Sequence, residues 1–90
     1  MNLEHDKRRE TRRLASGRVL VKFTDPEPCQ IDGALMDVSP SGFRMKHHYT
    51  ALCSGQVVEF THVEAKGRAQ VIWNRILAGG IETGFLVVNN

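Results

Sequence analysis

Five cationic side chains crowd the eight residues from Asp6 to Arg13, "DKRRETRR", with only two acids among them. Arg9 and Arg13 form an R-x3-R pair, and Arg8 with Arg12 forms an overlapping one. A guanidinium is planar and permanently charged, and its paired N–H donors match either a phosphate or the O6/N7 edge of guanine. A guanine nucleotide would use both abilities. On composition alone the plainer reading is a solvated charge run, or a tail that sticks weakly to any polyanion.

A second constellation is "DVSPSG", Asp37 to Gly42. As a turn it is well made: Asp37 and Ser39 can hydrogen-bond nearby backbone, Pro40 stops a strand ladder, and Gly42 supplies an unusual backbone angle. As a site it offers more. A carboxylate at the rim of a sheet accepts the N1–H and N2 amine of guanine, with a serine hydroxyl as second partner. That is the guanine edge the arginines leave free.

These groups need a scaffold, and the rest of the chain predicts an all-β one. Runs rich in β-branched and aromatic residues alternate with Gly, Pro, Asp and Ser clusters. Strands are expected near 18–23, 30–38, 42–47, 56–63, 67–75 and 82–88, a spacing that suits a small six-stranded antiparallel barrel. The breaks agree: "TDPEP" (24–28), "SPSG" (39–42), and "AGG" (78–80), which can take positive φ. In "GFRMKH" Phe43 and Met45 alternate with Arg44 and Lys46, so one face is buried and the other wet. "VIWN" is apolar at three consecutive positions, which predicts a strand covered on both faces and Trp73 as a core anchor.

Residues 1–17 read as a basic arm ahead of a barrel spanning 18–90. As a helix the arm would place Arg8 over Arg12 and Arg9 over Arg13, like charges one turn apart, and Leu3 and Leu14 make no apolar stripe. The arm is therefore expected to stay flexible until an anion arrives. The charge distribution supports the division. Residues 1–18 hold six basic side chains against three acids, whereas 19–90 hold six against seven.

Ninety residues bury one small core, which argues against a large enclosed active site. With 41% hydrophobic and 24% charged residues, the chain is too apolar to be disordered. No window approaches the roughly 18 to 20 apolar residues of a membrane span, and "MNLEHDKRRE" has no signal-like apolar core, so a cytoplasmic protein is expected. Cys29 and Cys53 read as small buried hydrophobes rather than a disulfide or zinc pair. His5, His47, His48 and His62 lack a recognised ligand spacing and read as surface histidines, so no metal and no cofactor is expected. Nothing forms a nucleophile elbow, a phosphate-cradling loop or an acid–base carboxylate pair, and an enzyme is not expected.

R-x3-R at Arg9 and Arg13, followed by D-x-S-x-x-G at Asp37, Ser39 and Gly42, resembles the two-part motif of the PilZ domain family, bacterial receptors for cyclic di-GMP. "AQVIWNR" and "ETGFLVV" resemble that family's closing strands. The resemblance implies a PilZ-type β-barrel in which Arg9 and Arg13 grip guanine and phosphate. Asp37 and Ser39 would bind guanine polar edges, and Gly42 would keep the corner tight. Arg8 resembles the residue found in members that hold two stacked ligands, and Arg12 has no family role. PilZ chains often carry a further helix or partner domain, for which "VVNN" leaves no room here. Output, in motility, biofilm or exopolysaccharide control, is then expected through an effector protein, a homodimer or the arm itself. Two alternatives remain: a basic-armed barrel for single-stranded RNA or DNA, which the few, core-like aromatics disfavour, and an adaptor that binds no ligand.

Overall fold

A computed structural model describes residues 11–24 and 26–88. Seven strands follow one another: β1 (Arg13–Leu14), β2 (Arg18–Thr24), β3 (Pro28–Ser39), β4 (Gly42–His47), β5 (Val57–His62), β6 (Ala65–Leu77) and β7 (Gly80–Val88). All pairings are antiparallel, in the order β1-β3-β2-β5-β6-β7-β4, and β4 pairs back onto β3. That last ladder closes six strands into a barrel, and closure removes the exposed edges an open sheet would present. The six expected strands are all present. β1 is an additional short strand paired along the edge of β3 opposite β4, inside the segment read from sequence as the arm.

Alternation along β2, β4 and β5 sends Val19, Val21, Phe43, Met45, Val58 and Phe60 inward. At the centre Phe43 stacks on Phe85, with ring centroids 4.7 Å apart, and tilts against Phe60 at 4.8 Å. The strands β3 and β6 break the alternation. Each carries a bulge, at Met36 between Leu35 and Asp37 and at Ile72 between Val71 and Trp73. A bulge adds one residue to one strand and so exchanges the two faces beyond it. Ile31 and Leu35 point inward before the first bulge; Val38 points inward after it, and Asp37 stands opposite Arg44 on the outer face.

The second bulge corrects the reading of "VIWN". Val71 is buried, but Ile72 is largely exposed, and Trp73 is carried to the outer face as a half-buried residue. Its indole lies flat on Gly84, where a Cβ would meet the ring, and the Arg75 guanidinium sits 5.5 Å from the ring centroid. Trp73 is not a core anchor.

Three further expectations are corrected. Cys29 is only half-buried, because it shares the inward phase of Ile31 but sits at the start of β3, where it packs on the margin of the core, and Cys53 is exposed in the connection ahead of β5. His47 and His62 are buried at 1% and 8% exposure, since both occupy inward phases of β4 and β5; His48 is exposed, and His5 lies outside the described residues. Gly42 has no positive φ, whereas Gly80 of the "AGG" turn does. Gly42 is required for closeness instead: a Cβ there would run into the Phe85 carbonyl oxygen of β7.

Candidate functional site

The β3–β4 corner positions the second motif. Ser39 pairs with Gly42, Val38 with Phe43 and Asp37 with Arg44, so Pro40 and Ser41 make a two-residue connection. β1 then lies along the other side of β3, with Arg13 opposite Val38 and Leu14 opposite Asp37. The backbone carrying Arg13 is thereby brought beside D-x-S-x-x-G, while Arg8 and Arg9 lie outside the described residues.

The side chains divide differently from the motif. Asp37, 3% exposed, receives Arg12 Nη1 on Oδ1 at 2.8 Å and Arg44 on Oδ2, from Nε at 2.8 Å and also from Nη2. Arg44 Nη1 donates to Glu82 Oε2 at 2.6 Å, and Arg75 Nη2 donates to Glu82 Oε1 at 2.8 Å. Three arginines and two buried carboxylates thus form one chain, Arg12–Asp37–Arg44–Glu82–Arg75, across the outer face of β3, β4, β7 and β6. Burial opposes ionisation of Asp37, but the hydrogen bonds and charges of Arg44 and then Arg12 outweigh it and hold the carboxyl below its ordinary range.

Arg13 points elsewhere. Its guanidinium makes a forked pair with Glu64 at 3.0 and 2.5 Å on the β5–β6 turn, a pair open to solvent. That hydrogen bond and the Arg13 charge lower the Glu64 pKa. Ser39 is half-buried at the end of β3, and Gly42 is buried. Asp37, Ser39 and Gly42 therefore share one corner with the Arg13 backbone, but the guanidinium at Asp37 is that of Arg12.

A polar chain runs outward from the buried His47 and Thr83 to the exposed Asn74. His47 Nδ1 accepts the Tyr49 N–H at 3.0 Å, which leaves Nε2 protonated to donate to Thr83 Oγ1 at 2.6 Å. Thr83 donates to Asn74 Oδ1 at 2.6 Å, and Asn74 Nδ2 donates to the Leu52 carbonyl at 2.9 Å. Burial, and to a lesser degree the neighbouring His48, push the His47 pKa down. An open groove of about 590 Å³ along β2, β5 and β6, lined by Lys22, Val57, Glu59 and Arg68 among others, contains no motif residue.

Sequence reasoning missed Arg44, Glu82 and Arg75 and assigned Arg12 no role. Arg44 was legible: a two-residue hairpin centred on Pro40 and Ser41 places residue 44 opposite residue 37. Glu82 and Arg75 were not, since their approach depends on how β7 is threaded between β4 and β6.

No family model matches this chain, and no curated protein matches it. Among solved structures the barrel is similar to YcgR from Escherichia coli in complex with c-di-GMP, with a TM-score of 0.67. The barrel has a PilZ-like fold. Identity is 19% over 92% of this chain, which spans 38% of the YcgR chain's length, so the likeness is one of fold. Among the described residues no helix is long and apolar enough to cross a membrane.

Proposed function

We propose that the chain is a cyclic di-GMP receptor domain that signals to an effector protein and catalyses nothing itself. One observation carries this reading. The β1–β3 ladder sets Arg13 of R-x3-R directly beside the Asp37–Gly42 corner, on a barrel whose fold matches one solved with that nucleotide. Arg9 and Arg13 hold guanine and phosphate, Asp37 and Ser39 take guanine polar edges, and Gly42 keeps the corner close to β7. Arg8 extends the site toward a second stacked ligand. The exposed Arg13–Glu64 pair is weakly held in water and opens at little cost.

Binding of two phosphates and two guanines neutralises the cationic arm of residues 1–17, whose β1 already pairs with β3, and draws the part ahead of β1 toward the Asp37–Gly42 corner of the barrel of residues 18–90, which alters the surface shown to the effector or to a second copy. A bacterial, cytoplasmic setting follows from the ligand. Each charge-assisted hydrogen bond contributes about 1.5–3 kcal/mol, so Arg13→Ala should weaken binding roughly tenfold or more. Calorimetry with cyclic di-GMP, with single-stranded RNA as control ligand, tests this. Unchanged affinity in Arg13→Ala removes Arg13 from the site, and preference for RNA removes the receptor reading.

A further inference from the structure

We propose that Arg12 is a built-in competitor of the ligand: its guanidinium covers Oδ1 of Asp37, the oxygen with an acceptor direction to spare, and so sets the affinity of the site. The inference rests on the receptor reading above and concerns its regulation. A carboxylate oxygen offers two acceptor directions. Among the described residues, Oδ2 of Asp37 takes two donors, Nε and Nη2 of Arg44, whereas Oδ1 takes one, from Arg12. With the side chain only 4% exposed, no open approach to either oxygen is left. Entry requires that one arginine leave.

The two arginines are not equally held. Arg44 sits within β4, is 26% exposed, and is fastened at both ends by the buried carboxylates of Asp37 and Glu82. Arg12 lies ahead of β1, is 48% exposed, and makes a single bond to Asp37. The ligand's N1–H and N2–H donors therefore replace Arg12 at Oδ1, and Arg44 stays as the fixed floor that keeps the carboxylate ionised and aimed. Since a half-exposed ion pair contributes no more than about 1 kcal/mol, the competitor costs the site a factor of about two to five in affinity.

Removing Arg12 also removes a positive charge near the phosphates, so the test uses Thr11→Arg/Arg12→Ala, which conserves the charge of the segment. Titration calorimetry with cyclic di-GMP should show this variant binding about two- to fivefold tighter than the unmodified chain, with the gain abolished when Asp37→Asn is added. Arginine side-chain NMR should show the Arg12 signal shifting on titration while the Arg44 Nε–H keeps its position. Equal or weaker binding by the charge-conserving variant overturns the competitor role while leaving the receptor reading intact. Binding by neither protein overturns both.

Discussion

Replacing Arg44 with methionine keeps most of the side-chain stem but removes the guanidinium that spans two carboxylates. The Asp37 and Glu82 side chains are only 4% and 3% exposed, so neither can recover its lost donors from bulk water. Breaking a buried ion pair from one side costs about 3–5 kcal/mol because the remaining charge is stranded. Here Arg12 still holds Asp37 and Arg75 still holds Glu82, and Arg44 is itself partly solvated, so the expected loss is about 2–4 kcal/mol. For a domain of this size that corresponds to a fall in Tm of roughly 10–25 °C. Urea unfolding followed by the fluorescence of Trp73, the one tryptophan, measures it directly. The triple variant Asp37→Asn/Arg44→Met/Glu82→Gln leaves no buried charge and should regain at least half of the loss. A single variant that loses less than about 1 kcal/mol, or a triple no more stable than the single, would refute the view that Arg44 organises this face.

Gly42→Ala should cost at least about 2 kcal/mol, because the obstructing atom is the Phe85 backbone carbonyl in a paired strand and cannot rotate away; an unchanged urea midpoint would contradict the close approach. Folding stability should decline as pH falls below about 6.5, by up to about 1.4 kcal/mol per pH unit for each of two histidines. The sign follows from burial, which depresses the pKa values of His47 and His62, so the unfolded chain binds more protons across that window. The stability Asp37 gains from its arginines is lost in turn as pH falls below about 4 and through its lowered folded-state pKa. Urea midpoints between pH 7.5 and 3 check both, and a flat profile from 7 to 5 would count against the buried histidines. Cys53 should react with a thiol reagent several-fold faster than Cys29, whose Sγ lies against the Glu27 carbonyl and the Tyr49 hydroxyl; equal rates in Cys→Ser single variants would contradict that difference in exposure.

The strand pattern from Arg18 to Val88 was readable without coordinates, since period-two alternation and turn residues act locally and each strand carries its own signal. So was the pairing of Asp37 with Arg44, once the corner at Pro40 and Ser41 is counted as a hairpin. Which face a residue occupies beyond a bulge was not readable. The extra residues Met36 and Ile72 carry no compositional mark, yet each exchanges the two sides of its strand. Unbroken alternation from Leu35 would bury Asp37 in the core, and from Val71 it would bury Trp73. The folded barrel instead places both on its outer wall, in one row with Arg44 and Gly84. Local chemistry thus determined the elements and the motif residues, while barrel closure decided their partners. Only when β4 is held between β3 and β7 do Asp37 and Glu82 come within reach of one guanidinium, and only the β1–β3 ladder makes Arg12, and not Arg13, the arginine at Asp37.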